Sequence, residues 1–537
     1  MGTPIKRQAE QSIMNLSKDI ELNPEFVRAF EIMEGSAQSL FVTGRAGTGK
    51  STLLQYFREN TKKNMAVLAP TGVAAINVRG QTIHSFFQFR PDVTLDTVES
   101  IQPADKKLYK NLDTIVIDEI SMVRADLLDC IDAFLRRFGK KPGKPFGGIQ
   151  MVFIGDLYQL PPVVKAGEKA LFREYYQSPY FFSAQSFQEI HPAFVELEKV
   201  YRQSDKKFIS ILNRIRNNTA SDKDLELLNK RVIPGYVPEK EAFVVYLTTT
   251  NKSARKINEE KMQMLKGKER VYTGSMTGNF SATDLPTDLV LRIKKGAQVM
   301  LLNNDSLGRW VNGTIGQVVD FGKREKEEAI VLALENGEIV EVEPCTWDMF
   351  EFYYDRQEHR INTRKTGSFT QYPLRLSWAI TIHKSQGLTF DRVVIDLGRG
   401  TFAHGQLYVA LSRCRTLEGI VLQKPVQKGH IRMDRAVVRF LTEYQYRLAE
   451  EDFPPEKKID LLKEAREKGH ALAMVYLKSS DEKSHRTIVP LEIGTMCFRG
   501  KEFLGLRAFC QTRGEERTFR IDRILSLRYP EGVQRSF

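Results

Sequence analysis

One stretch near the amino end limits what this chain can fold into more than any other. Residues 40–52 read Leu-Phe-Val-Thr-Gly-Arg-Ala-Gly-Thr-Gly-Lys-Ser-Thr. Residues 40–43 are a short apolar run of strand composition, and residues 53–60 have helical composition. Between them Gly44 and Gly49 bracket four residues, with Lys50 and Ser51 directly after, which is the spacing of a phosphate-binding loop. Glycine lets backbone N–H groups turn inward on a phosphate with no Cβ in the way. The first turn of the following helix adds its positive dipole end. Lys50 has the reach for β- and γ-phosphates, and the Ser51 hydroxyl is a ligand type for Mg²⁺. The candidate nucleotide ligands are therefore Gly44, Ala46, Gly47, Thr48, Gly49, Lys50, Ser51 and Thr52. A glycine turn ahead of an ordinary helix is the bland alternative. Spacing, lysine, hydroxyl and flanking strand together argue against it.

The chain has 537 residues, too many for one core, which implies roughly three or four structural units. No run is apolar enough to span a membrane, and residues 1–20 lack a signal-peptide core, so a cytosolic or nuclear location is expected. Cys130, Cys345, Cys414, Cys497 and Cys510 are scattered with no CxxC pair, which argues against a zinc site or a disulfide framework. The net charge is +13, from 80 Lys and Arg against 67 Asp and Glu. A basic surplus favours a polyanionic partner.

The α/β pattern continues past the loop. Residues 66–69 read as a second strand, ending in Pro70-Thr71-Gly72. Residues 114–117 form a third, ending in Asp118-Glu119. Two acids directly after an apolar strand, behind a phosphate loop, fit a Mg²⁺ ligand (Asp118) and a water-activating carboxylate (Glu119). Acids at a helix N-terminus are the alternative. Residues 151–154 form a fourth strand that leads to Gln159, whose amide suits contact with both a γ-phosphate and a water. Polar residues delivered at strand carboxyl ends mark the site of an open α/β sheet. Residues 88–110 are polar with Pro91 and Pro103 and read as a small irregular insertion. A second sheet begins at 242–250. Short β runs at 298–302, 314–321, 329–334 and 338–342, separated by Asn-Gly turns, predict a small antiparallel barrel inserted into the second α/β domain. The α/β pattern resumes at 376–395, and a helix from Gln406 leads to Arg413 and Arg415. Arginines on one domain that reach a phosphate held by another make hydrolysis depend on closure.

These motifs resemble those of the superfamily 1B DNA helicases, specifically the petite-integration-frequency (PIF) helicases. The resemblance runs in order from about residue 23 to 441. It rests on 44–52, Ala69-Pro-Thr-Gly-Val-Ala-Ala, Thr82-Ile-His-Ser-Phe, Asp118-Glu-Ile-Ser-Met, 155–162, Tyr201-Arg-Gln, 381–387 and 408–413. It implies two RecA-like motor domains, 23–196 and 197–448, behind an N-terminal extension 1–22. It makes 88–110 a strand-separating wedge and 297–372 an SH3-like insertion. It implies ATP and Mg²⁺ as cofactors, with Lys50, Glu119, Gln159, Arg202 and Arg413 catalytic and Gly387 at the nucleotide. Single-stranded DNA is the implied partner, held by Thr71, Gly72, His84, Ser85 and Phe86 in the first domain and by Thr248, His383, Lys384 and Thr389 in the second. Hydroxyls and backbone N–H groups hold phosphates without reading sequence, and His84 and Phe86 have rings suited to stacking on bases. A capping histidine and a core aromatic are the alternatives at those two positions. The family often reads adenine with a glutamine upstream of the loop. Here Asn23 stands instead, equally a helix N-cap before Pro24.

Beyond a linker expected at 449–470, residues 471–537 resemble a WYL domain of bacterial regulators, although Glu502-Phe503-Leu504 replaces the naming triplet. Arg513, Arg517, Arg520 and Arg523 are either a nucleic-acid patch or an ordinary solvated face. The resemblance as a whole implies a monomeric, cytoplasmic, nucleoid-associated bacterial helicase moving 5′→3′ on single strands and at duplex junctions. G-quadruplex DNA and RNA–DNA hybrids are further implied substrates, with roles in replication, repair or recombination. The same motifs would also suit a DNA-stimulated translocase that does not unwind, or a regulator that senses nucleic acid through its tail.

Overall fold

The computed structural model describes residues 22–164, 168–203, 205–238, 243–278, 285–305, 307–324, 327–398, 400–401, 403–498 and 500–530. The expected extension 1–22 therefore lies, except for Leu22, outside the described residues. The chain forms two compact units. The first contains residues up to Asn213 and Ser221–Arg432, and the second Arg214–Ala220 and the chain from Met433.

The first unit opens with helix Pro24–Gly35, started by Asn23 and Pro24 and burying Phe26, Ala29, Phe30 and Met33. Six strands follow: β1 (Leu40–Gly44), β2 (Met65–Ala69), β3 (Gln81–Thr82), β4 (Thr114–Ile117), β5 (Gln150–Ile154) and β6 (Ala193–Leu197). They form one parallel sheet in the order 3-2-4-5-1-6. Strands β1, β4 and β5 are buried along their whole length, which is why they read as continuous apolar runs. The sheet presents the phosphate loop, Asp118-Glu119 and Gly155-Asp156 side by side at its centre, and Thr71 and the segment after Thr82 to one side.

A second parallel sheet has strands Ala379–Thr381, Val245–Thr248, Val393–Asp396 and Ile420–Leu422 in that spatial order. The predicted β insertion interrupts it. Ile339–Val342, Glu327–Leu334, Ile315–Arg324, Gln298–Leu301 and Leu374–Leu376 form an antiparallel sheet around Val299, Leu301, Val318, Ile330, Leu332 and Leu374. Within the expected bounds 297–372 the insertion also holds strands beyond the four short runs read from the sequence. Cys345–Asp355 and Arg360–Gln371 form a long hairpin whose second strand also pairs with Ser275–Gly278.

Residues 88–110 are not irregular. Helix Leu95–Ser100 is capped reciprocally by Thr94 and Thr97, and helix Lys106–Lys110 is capped by Asp105. Val98, Leu108 and Tyr109 are buried there, and Arg137 of helix Ala125–Phe138 donates to the carbonyls of Val98 and Glu99. The family-signature segment expected after Asp126 is this helix plus a tight turn. There the Asp132 carboxylate accepts the Phe146 N–H at 2.6 Å and the Arg136 Nε–H at 2.6 Å.

The second unit is one five-stranded antiparallel sheet, Glu515–Arg520, Lys501–Cys510, Lys483–Phe498, Leu472–Leu477 and Ile524–Arg528, with two helices. Helix Arg435–Asp452 belongs here rather than to the second motor domain. Its Tyr446 hydroxyl donates to the Leu477 carbonyl and its Gln445 amide to Asp481. The expected linker is likewise structural. Pro455 starts helix Pro455–Glu467, and Leu462 and Ala465 are fully buried with Leu472, Met474, Ile488 and Phe519. Of the four tail arginines, Arg517 pairs with Glu515, and Arg520 pairs with Asp522 and lies over the Phe503 ring. If helix Pro455–Glu467 is core, Leu462→Ala should cost about 2–5 kcal/mol. A lowered thermal unfolding midpoint checks this, and an unchanged midpoint would return the helix to linker status.

Candidate nucleotide cleft and nucleic-acid interface

The phosphate loop turns through left-handed glycines, with φ of 78° at Gly47 and 89° at Gly49. A Cβ on Gly47 would lie 2.4 Å from the Arg202 Cβ, so only glycine lets the chain after β6 pass this close. The Tyr201 N–H donates to the Gly47 carbonyl at 2.8 Å. Lys50 Nζ donates to the carbonyls of Gly44 and Arg45 at 2.8 and 3.0 Å, and the Thr48 hydroxyl closes on Arg45. Both motor domains wall a cleft of about 850 Å³ over this loop. The sequence-predicted Ala46, Gly47, Thr48, Gly49, Lys50, Ser51, Thr52, Glu119, Gln159, Arg202, Gly387 and Arg413 all line it.

Charge in the cleft is divided. On the acid side, burial pushes the Glu119 carboxyl up to about 7, reinforced by neighbouring Asp118 and opposed by Lys50. Burial also raises Asp118. On the basic side, Arg413 is 1% exposed, and burial with Arg202 nearby lowers it to about 9. Its hydrogen-bond partners are the carbonyls of Val409, Ser385 and Leu388 and the Ser412 hydroxyl. Arg202 Nη2 donates to the Gly387 carbonyl at 3.2 Å, and its Nη1 is buried without a hydrogen-bond partner among the described residues. Two guanidinium groups held this way present positive charge to the cleft.

Several contacts that join the two motor domains carry no local sequence signal. The Tyr408 hydroxyl accepts the Ala46 N–H at 3.1 Å and donates to Asp156 at 3.5 Å. Gly405, at φ 74°, sits where a Cβ would meet the carbonyl oxygens of Tyr158 and Gln159 at 2.3 and 2.4 Å. The Gln386 amide donates to Gln159 Oε1 at 3.4 Å, and Gln203 donates to the carbonyls of Ser412 and Cys414. Tyr408 and Gln203 stand inside recognisable motifs, but their roles emerge only when the domains meet.

Four expected site residues are placed differently. Asn23 is the helix cap: its Oδ1 accepts the Phe26 N–H at 2.8 Å and its Nδ2 donates to the Tyr201 hydroxyl at 3.2 Å, which commits both ends of the amide. Thr389 lines the nucleotide cleft, because the turn through Gly387 folds back over the phosphate loop. Thr248 is 1% exposed, with its hydroxyl on the carbonyls of Thr250 and Ile380. Phe86 is 3% exposed and meets Phe87, Tyr109 and Phe352 edge-on. It is the core aromatic of the alternative reading.

The remaining nucleic-acid candidates reach the surface at strand carboxyl ends. Thr71 caps helix Gly72–Asn77 and is exposed, whereas Gly72 is buried. His84 is half-buried and Ser85 exposed on helix Ile83–Phe87, while His383 is half-buried and Lys384 exposed after strand Ala379–Thr381. Burial lowers both histidines, which keeps the imidazoles neutral and suited to stacking.

Comparison with known proteins decides the family. A model described as PIF1-like helicase matches residues 24–226, a UvrD-like helicase C-terminal domain matches 376–421, and a WYL domain matches 457–529. The structure is similar to that of Bacteroides sp Pif1 in complex with ADP-AlF4. Identity is 38%, TM-score 0.72, and 80% of this chain and 98% of that chain are covered. The chain belongs to the PIF1-like helicase family. A second structure, Bacteroides Pif1 bound to ssDNA, matches with 37% identity and TM-score 0.57 over 82% of this chain and 98% of that one. The human ATP-dependent DNA helicase PIF1 is 37% identical over 71% of this chain, which spans 58% of that protein's length. The family places the first domain's helix Ile83–Phe87 in a motif expected on DNA, yet the Phe86 ring is internal. Phe86→Ala should therefore show mainly as lost stability, about 3–5 kcal/mol, in thermal or denaturant unfolding. A stable variant with weakened DNA binding would restore the stacking role.

Proposed function

We propose that this chain is an ATP-driven DNA helicase that moves 5′→3′ along single-stranded DNA and separates the duplex ahead of it. One observation carries the reading. The phosphate loop, Glu119, Gln159 and Arg202, which packs on Gly47, share one cleft with Arg413 of the second domain. The polarity rests on the family resemblance, and the DNA partner is supported by the exposed Thr71, Ser85 and Lys384 at strand ends.

In this reading the N–H groups of residues 47–50 cradle the phosphates while that of Ala46 stays on the Tyr408 hydroxyl, and Lys50 exchanges its loop carbonyls for phosphate oxygens. Glu119 takes a proton from the attacking water, and the Gln159 amide lies between that water and Asp156, to which its Nε2 donates at 3.0 Å. Arg202 and Arg413 neutralise charge that develops on the transferred group. Among the described residues no cluster of three or more His, Cys, Asp or Glu is arranged to hold a metal. Ser51 and Asp118 would hold Mg²⁺ together with phosphate oxygens and water, the coordination that ion prefers. When bound, it supplies charge neutralisation at the phosphates. Loss of the γ-phosphate removes the anion that offsets the two arginine charges, the cleft opens, and the grip on DNA shifts. Residues 88–110, packed on helix Ala125–Phe138, act as the wedge. A cytoplasmic, nucleoid-associated protein working as a monomer fits this activity, with G-quadruplexes and RNA–DNA hybrids as further substrates.

Water activation needs the carboxylate form of Glu119, so hydrolysis should climb with pH through about 7 and level off above it. Glu119→Gln should slow hydrolysis by about 10²–10⁴-fold and flatten that limb while nucleotide still binds. An unchanged rate would move the role elsewhere. Strand displacement on 5′-tailed and 3′-tailed duplexes tests the polarity. The 5′ tail should be required, and a preference for the 3′ tail would reverse the assignment.

A further inference from the structure

We infer that Gln81 is a positioning residue that makes the grip of Ser85 on DNA depend on the inserted hairpin. The inference rests on the reading of Ser85 as a DNA contact proposed above. Gln81 lies on β3 and is 5% exposed, with its amide held between two partners. Its Oε1 accepts the backbone N–H of Phe352, on hairpin strand Cys345–Asp355, at 3.4 Å. Its Nε2 donates to Ser85 Oγ at 2.8 Å.

The direction of these bonds gives the arrangement its meaning. A backbone N–H only donates, so Phe352 fixes which end of the amide faces the hairpin. The NH₂ end must then face Ser85. The serine oxygen accepts, and its own hydrogen is left to point elsewhere. Ser85 is exposed, and a phosphate oxygen is an acceptor for that hydrogen. Without the Phe352 donor, the amide is free to turn. With Oε1 toward Ser85, the serine would donate inward and the outward donor would be lost.

The hairpin is seated against the first domain by other contacts that would move with it. The Phe352 ring meets Phe86 at 5.8 Å, the Tyr354 N–H donates to Asp105 at 3.4 Å, and the Ile361 N–H donates to Asn64 at 3.0 Å. A cavity of about 330 Å³ beside Gln81, Ser85, Phe352 and Tyr353 gives the amide room to turn. A shift of the β insertion thus reaches the exposed Ser85 hydroxyl through the Gln81 amide.

The test is a double-mutant cycle on the full chain, with affinity for a fluorescent oligothymidine measured by anisotropy at fixed salt. Gln81→Met and Ser85→Ala should each weaken binding by about three- to tenfold, the worth of one hydrogen bond, and the double variant should be no weaker than either. Gln81→Glu still accepts from Phe352 but takes the serine hydrogen, so at a temperature well below its own unfolding midpoint it should bind no better than Ser85→Ala. If Ser85→Ala binds normally, the grip assigned to Ser85 is wrong and the relay falls with it. If Ser85→Ala weakens binding while Gln81→Met does not, or if the two losses add, the grip stands and the relay is overturned.

Discussion

The approach of the Arg202 backbone to Gly47 is the contact on which the cleft depends. It brings a guanidinium group from the end of β6 over the phosphate loop, where it bonds the Gly387 carbonyl of the second domain. Arg413 arrives from the other side, fully buried. Two like charges taken out of water together are costly unless compensated. Here the compensation within the protein is partial, from Tyr408 and then Glu119 and Asp156. The opposite half of the cleft has the reverse problem, because Asp118 and Glu119 crowd each other. A bound triphosphate with its cation would offset both halves at once, its anionic charge compensating the arginines and its cation the acids. Neither half would be as favourable alone.

Apart from Arg202 to Gly387 and Tyr408 to Asp156, the joints described between the motor domains are made of neutral groups. Tyr408 to Ala46, Gln203 to Ser412 and Cys414, Gln386 to Gln159, and Gly405 against Tyr158 and Gln159 involve hydroxyls, amides and carbonyls. Each is worth about 0.5–1.5 kcal/mol net, and water replaces it when the cleft opens. An interface of this kind separates with little penalty, whereas a network of buried ion pairs would resist separation. Such joints suit the proposed cycle, in which the cleft would open and close with each nucleotide.

What the sequence made legible was whatever is written locally. The phosphate loop, Asp118-Glu119 and Gln159 follow apolar strands within a few residues, so strand ends and site residues could be read together. The roles of Tyr408 and Gly405 could not, since 362 positions separate Ala46 from Tyr408 and nothing near either implies the other. Exposure was equally hidden. Phe86 and Thr248 have the chemistry of nucleic-acid contacts but face inward. Residues 88–110 read as irregular because each helix buries so few apolar residues that no period develops, and end-capping by Thr94 and Asp105 defines them instead. Residues 457–468 read as a charged helix within a linker, because their charged exterior hides the Leu462 and Ala465 face that the C-terminal core covers.

Glu119 shows how such a site is sustained. Its backbone is left-handed, with φ 51° and ψ 41°, a conformation that costs a non-glycine residue about 1–3 kcal/mol. Its carboxyl is also held above the usual range. A carboxyl raised in the fold binds its proton more tightly there than in the unfolded chain, so its contribution to stability falls as pH rises from the unfolded value toward about 7. Both penalties fall on the residue proposed to activate water, and the second is largest in the ionised form that the chemistry needs. The central strands absorb them: β4 lies between β2 and β5, buried throughout, and the Asp118 N–H is tied to the Leu68 carbonyl at 2.9 Å. The rigidity of the sheet is therefore a condition of the chemistry, because a looser β4 would let Glu119 relax toward ordinary geometry and an ordinary carboxylate.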